Sequence, residues 1–201
     1  MDFLALDFET ATAQADSPCE LGIAVVRRGV VREVHNWLIK PRYWPYFSPW
    51  NVAVHGIKPE DVANAPRWEE IWDEVAAVLH EQTVVAHNAA FDMSVLRSSL
   101  ASHGLPHPTF QYFCSVRMAR KMWPGHASYG LKPMCELHGI PLVHHRAGND
   151  AHATAELVIR ATEQRPLFDI TQFLLDERIK IGAFYPGGHR TPGGKMTPVR
   201  Y

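Results

Sequence analysis

The segment Phe3-Leu4-Ala5-Leu6-Asp7-Phe8-Glu9 (FLALDFE, residues 3–9) decides how the rest of the chain is read. It begins as the apolar run of a covered strand and then places two carboxylates two residues apart. Side chains alternate faces along a strand, so Asp7 and Glu9 share a face, with Cβ atoms roughly 6–7 Å apart. Two like charges on a covered strand repel, and each resists leaving water. Either that face is wet, or something positive sits between the acids. Hard carboxylate oxygens in such a place suit Mg²⁺ or Mn²⁺.

Working outward, residues 2–9 read as a first strand. Residues 20–28 (ELGIAVVRR) and 31–39 (VREVHNWLI) read as two more, joined at Arg28-Gly29 by a tight turn, which predicts an antiparallel meander. Residues 41–58, rich in Pro, Trp and Tyr, read as a packed loop. Trp68, Ile71, Trp72, Val75, Val78 and Leu79 recur at helical spacing behind Pro66, predicting a helix over 66–80. TVVA at 83–86 is a short buried strand and 89–103 a helix. Residues 109–114 form a further strand, 115–123 and 130–138 two helices, and 150–163 a last strong helix with Asn149 as its N-cap. Strands followed by strand–helix alternation give an α/β class. After Arg165 the pattern changes. KIGAFY alternates like an edge strand, and the Gly/Pro-rich, basic end from Gly187 reads as a flexible tail rather than a docking or substrate-contacting arm. The expected organisation is one domain over 1–165 and an extension over 166–201.

The bulk composition narrows the function. With 201 residues, 46% apolar and 20% charged, the chain suits an ordinary globular domain, large enough for a core without staples. A net charge of −1 gives no general pull on nucleic acid or membrane, so an anionic partner must be held by a local site. Cys19, Cys114 and Cys135 are scattered, without a C-x-x-C pair, which argues against a thiolate zinc site and suits a reducing compartment. The N-terminus lacks a basic region, and no apolar run is long enough to span a membrane, so the expected location is the cytoplasm.

Further acids lie where they could join Asp7 and Glu9. Asp92, in AHNAAFD (86–92), falls in the first turn of the helix after the 83–86 strand. Asp150, in HHRAGND (144–150), opens the last helix. Each alone reads as a helix-start residue, favoured by the macrodipole. Taken together, all four acids sit at strand ends or helix starts, where sites gather in α/β sheets.

DFET (7–10), HNAAFD (87–92) and HRAGND (145–150) resemble, in order, the three motifs of the DEDDh 3′–5′ exonucleases, the family of the proofreading epsilon subunit of bacterial DNA polymerase III. The resemblance covers residues 2–163 and takes in HGI (55–57), CSVRMARKMWPG (114–125) and the loop SPCELG (17–22). His145 stands at the four-residue gap of the family's His branch. His144, one position too early, reads as supporting or structural. The resemblance implies a ribonuclease H-like fold, with a five-stranded mixed sheet whose first three strands are antiparallel, and helices on both faces. It also implies two divalent cations, Mg²⁺ or Mn²⁺. Asp7 would bridge them, Glu9 and Asp150 would complete one, and Asp92 would serve the other. His145 would act as general base, since the unperturbed imidazole pKa near 6.5 is usable at neutral pH.

The implied reaction is release of nucleoside 5′-monophosphates from the 3′ end of single-stranded or unpaired DNA. RNA is the close alternative, and a DNA polymerase is a possible partner. The resemblance also implies substrate contacts at Phe8, Thr10, His55, Asn88 and Phe91; for Phe91, core packing is the equal alternative. Arg97, Arg117, Arg120, Lys121 and Lys132 lie in a span free of acids. This is a solvated face or a track for a single strand, with Trp123 and Tyr129 as stacking surfaces. The chain departs from the family in having no glycine between Thr10 and Gly22, which predicts a different loop beside the sugar pocket. An inactive binding module would have lost one of the five key groups, and a zinc hydrolase would need an H-E-x-x-H motif; neither condition is met.

Overall fold

The computed structural model describes residues 1–163, 169–194 and 196–198. Strands β1 (Phe3–Thr10), β2 (Pro18–Arg27) and β3 (Val30–Leu38) form the antiparallel meander. The turn between β2 and β3 carries Arg28 and Gly29 at positive φ, the conformation a tight hairpin demands. Helices α1 (Pro49–His55) and α2 (Trp68–Leu79) lead to β4 (Thr83–Ala86), which joins β1 in parallel. Helix α3 (Ala90–His103) crosses over to β5 (Phe110–Cys114), parallel to β4. Helices α4 (Ser115–Met122), α5 (Leu131–His138), α6 (Ala147–Thr162) and α7 (Ile170–Asp176) follow, then β6 (Gly182–Tyr185), β7 (Gly188–Arg190) and β8 (Met196–Pro198).

Alternation along β1 splits the core in two. Leu4, Leu6 and Phe8 face Trp68 and Trp72 of α2 and Leu96 and Leu100 of α3. Phe3 and Ala5 face Met118 of α4, Met134 of α5, Leu157 of α6 and Phe173 of α7. Helices therefore cover both faces, as the α/β reading expects. β2, covered on both sides, is buried along nearly its whole length.

Several expectations need correction. Among the described residues the sheet has eight strands, ordered β3-β2-β1-β4-β5-β6-β7-β8, rather than five. The KIGAFY strand is not an edge: β6 pairs with β5 on one side and β7 on the other. Residues expected to be a flexible tail pair as β7 and β8. Residues 41–58 include α1, and most of SPCELG is the start of β2 rather than a loop. Helix α6 starts at Ala147 with Arg146 as its N-cap residue, so Asn149 lies inside the helix. The expected boundary at 165/166 and the basic residues Lys195 and Arg200 lie outside the described residues. Among those described, no helix is long and apolar enough to cross a membrane.

Candidate active site

The odd-numbered face of β1 continues from Phe3 and Ala5 to Asp7 and Glu9, and so turns both acids toward α6. The cross-strand neighbour of Asp7 is Gly22, and that of Gly22 is Asn36 on β3. A Cβ at Gly22 would collide with the Ala147 carbonyl, so the bare glycine is what lets the N-terminus of α6 rest on the sheet. The neighbour of Glu9 is Glu20, buried completely. Its Oε1 accepts from Arg146 Nη2 at 2.8 Å and Asn36 Nδ2 at 2.9 Å, and its Oε2 from the Ala147 N–H at 3.0 Å. Asn36 Oδ1 accepts from the Gly148 N–H at 3.0 Å. Side chains of β2 and β3 thus satisfy the first free N–H groups of α6, work that local caps usually do.

Seated in this way, α6 presents Asp150 in its first turn to β1. Donor oxygens of Asp7, Glu9 and Asp150 all lie within 4.8 Å of one another. Asp92 stands beside this trio rather than within it: from the first turn of α3 its Oδ1 accepts the Phe8 N–H at 3.1 Å, and its charge acts on Asp7. Asp92 Oδ2 and Asp150 Oδ1 are buried without a hydrogen-bond partner among the described residues.

The charges of this cluster are unbalanced. Burial, then Asp92, Asp150, Glu9 and Glu20, holds the Asp7 carboxyl well above the usual carboxylate range. Burial and Asp150 push Glu9 up to about 8, and burial pushes Asp92 up to about 8 against the Phe8 hydrogen bond. Burial raises Asp150 too, partly offset by His144 and His145. The nearby cation Arg146 is committed to Glu20. Converging hard oxygens, two of them orphaned, with no positive charge of their own, are what a divalent cation requires.

His144 Nδ1–H donates to Asp150 Oδ2 at 2.8 Å, and the His145 N–H donates to the same oxygen at 3.0 Å. The two rings stack at 3.8 Å, and His145 has φ +66°. Burial and His144 lower the His145 pKa, which leaves a neutral imidazole able to accept a proton.

The expected substrate contacts fare unevenly. The Phe8 N–H is taken by Asp92 and its ring is buried against Trp68. Thr10 is buried, its carbonyl accepting from Asn51 Nδ2 at 2.9 Å and from His55 Nε2 at 3.1 Å. His55 is buried, and its Nδ1 accepts the Ile57 N–H at 3.0 Å, so both ring nitrogens are committed to tying α1 to β1. Asn88, at φ +67°, lines a cavity on the far side of α3. Phe91 is 46% exposed and so is not core packing. Trp123 packs on His138, and the Tyr129 ring is met by the Arg120 guanidinium and the His126 ring, so both rings already have protein partners.

Sequence reasoning did not single out Glu20, Gly22, Asn36, Arg146 or Asn51. For Glu20 a signal was present: an acid inside the apolar run CELGIAVV poses the same question as Asp7 inside FLALDFE.

The chain is similar to known exonucleases. The exonuclease family model RNase_T matches residues 4–158. Over 165 residues, 81% of the chain, the sequence is 28% identical to the 3′-5′ exonuclease DinG of Staphylococcus epidermidis. Over 182 residues, 89% of the chain, it is 31% identical to the PolC-type DNA polymerase III of Thermotoga maritima. It spans only 18% and 13% of those two relatives' own lengths. Among solved structures, Exonuclease X in complex with 5′ overhanging duplex DNA superposes with a TM-score of 0.66 and 26% identity, over 82% of this chain and 93% of that one.

Proposed function

The chain belongs to the RNase_T exonuclease family, and from that premise we propose that it removes nucleotides one at a time from the 3′ end of unpaired DNA, releasing nucleoside 5′-monophosphates. The observation that carries this reading is the convergence of Asp7, Glu9 and Asp150 oxygens within 4.8 Å, with Asp92 beside them. These four carboxylates fit two divalent cations, Mg²⁺ or Mn²⁺, whose charge would balance the formal −4 that the acids carry once ionised. When bound, such ions acidify water and neutralise charge on the phosphate and the departing 3′-oxygen.

The chain's own groups do the rest. Neutral His145 takes a proton from the attacking water as its oxygen forms a bond to phosphorus and the P–O3′ bond breaks; the 3′-oxygen leaves and is protonated from solvent. His144 holds Asp150 in place. Exposed Phe91, beside Asp92, offers a surface to the terminal base. DNA is favoured because the solved relative at 26% identity holds DNA and another relative is a DNA polymerase; the polymerase similarity also supports a proofreading or accessory role.

The test uses 5′-labelled single-stranded DNA and RNA with Mg²⁺, with Mn²⁺ or with chelator, beside Asp7→Ala. A one-nucleotide ladder that needs metal and disappears in the variant is expected. Digestion in chelator, or by the variant at the wild-type rate, overturns the reading. Faster digestion of RNA than of DNA reassigns the substrate.

A further inference from the structure

A cavity of about 540 Å³ lies beyond α3, between the exonuclease core and the C-terminal extension. Asn88 and Met93 form its near wall, Arg97, Arg117 and Arg120 line it, and Pro192 of the extension closes it. Arg117 Nη1 donates to the Pro192 carbonyl at 3.3 Å. Arg97 Nη1–H meets His189 Nε2 at 3.3 Å. The Arg120 guanidinium sits 5.6 Å from the Tyr129 ring centre. Among the described residues, the arginines paired with a carboxylate are Arg42, Arg146 and Arg160; the three in this cavity have none. In a chain of net charge −1, three uncompensated guanidiniums around one cavity are a concentrated positive site.

The sheet places this site next to the acids. β1, β4 and β5 are parallel neighbours, so their C-terminal ends leave the same edge. The acids lie at the end of β1. The cavity lies at the ends of β4 and β5, where Asn88 and Cys114 line it. Two strand spacings, roughly 10 Å, separate the strands concerned. The Ala89–Ala90 wall of the cavity belongs to the same segment that carries Phe91 and Asp92 to the acids.

We propose that this cleft, completed by the C-terminal extension, is a phosphate-backbone site that grips the substrate strand upstream of the bond being cut. The proposal rests on the exonuclease reading. Guanidiniums are suited to it because they bind phosphate oxygens bidentately while keeping their charge at any working pH. A neutral protein facing a polyanion needs such a local grip, and here the extension supplies one wall of it.

The test compares wild type with Arg117→Gln/Arg120→Gln. Affinity for a fluorescein-labelled oligothymidylate is measured by anisotropy against salt, with Ca²⁺ present. Hydrolysis of p-nitrophenyl thymidine 5′-phosphate, too small to reach the cleft, reads the acids alone. Losing two single-strand phosphate contacts should reduce the log–log salt slope by about 1.4 and weaken binding roughly 25-fold near 0.1 M salt. The ester rate should stay unchanged, and the melting temperature should fall by no more than a few degrees, the worth of the lost Arg117–Pro192 hydrogen bond. Arg120→Gln alone, at the guanidinium that lies over the Tyr129 ring, should give about half the slope change. The double lysine variant should keep the slope. An unchanged affinity and slope in the glutamine variants overturns the cleft; absence of ester hydrolysis in wild type instead overturns the catalytic reading and leaves the anisotropy result standing.

Discussion

Asp150 shows how much one carboxylate depends on its neighbours. Its Oδ2 is held by the His144 ring and the His145 N–H, while its Oδ1 is free to face Asp7 and Glu9. Motif spacing points to His145 and leaves His144 as supporting or structural, without saying what it touches. The double contact exists only because His145 adopts φ +66°, which turns the chain so that consecutive residues address one oxygen. That is a backbone choice no residue type announces. The two histidines should therefore fail differently. His145→Ala should lower kcat by about 10²–10⁴, the usual worth of a positioned base. His144→Ala should mainly weaken Mn²⁺ binding, by about 10–100-fold, with kcat largely recovered at saturating metal, since it orients a ligand without touching the water. Steady-state rates across an Mn²⁺ titration separate the two. Equal kcat losses at saturating Mn²⁺ would reverse the assignment of roles.

At the scale of elements, the site is set by how closely α6 approaches the sheet. Gly22 permits contact, while Glu20 and Asn36 fasten the first N–H groups of the helix. The first five strands were legible because apolar runs and alternation are local signals: β4 begins and ends where TVVA predicts, whereas β7 and β8, from the Gly/Pro-rich end, read as a tail. The start of α6 was not legible, because its capping partners come from β2 and β3, 127 and 112 residues away in sequence. Asn149 satisfied the local rule and lost to that tertiary solution. Helix α1 was hidden by its aromatic, Pro-rich setting; Asn51 and His55 anchor it to Thr10. The dependence on Gly22 can be measured. Gly22→Ala forces a methyl into the Ala147 carbonyl and should destabilise the fold by about 1–3 kcal/mol, the range for overpacking a tight contact. Because the helix must lift, cation affinity should fall as well. Urea denaturation and Mn²⁺ titration of the variant check both effects; a variant of wild-type stability would show that α6 is not seated on this glycine.

For the whole molecule, the extension is part of the same body: β6 adds to β5, and Ile170, Phe173 and Leu174 share a core cluster with Phe3 and Val26. Onto this frame the acids and His87 impose opposite pH dependences. His87 Nε2–H donates to the Tyr129 carbonyl and its Nδ1 accepts from Ser115, and burial lowers its pKa to about 4. The unfolded chain binds that proton near pH 6.5, so His87 costs stability as pH falls from there toward 4. Glu9 and Asp92 work the other way. Without cations they keep their protons up to about pH 8, whereas the unfolded chain releases them near pH 4. Between those values the folded state holds more protons, so this contribution is complete below about pH 4 and is lost as pH rises to 8. Divalent cations bind the ionised acids and compete with those protons, so their stabilisation must grow with pH. At a cation concentration about 100 times Kd the gain is about 2.7 kcal/mol, or roughly 5–10 °C in Tm for a chain of this size. Thermal melts with Mn²⁺ and with chelator should therefore differ by that amount at pH 8 and by much less at pH 5. A cation effect as large at pH 5 as at pH 8 would mean that the bound ion is not held by the Asp7, Glu9, Asp92 and Asp150 cluster.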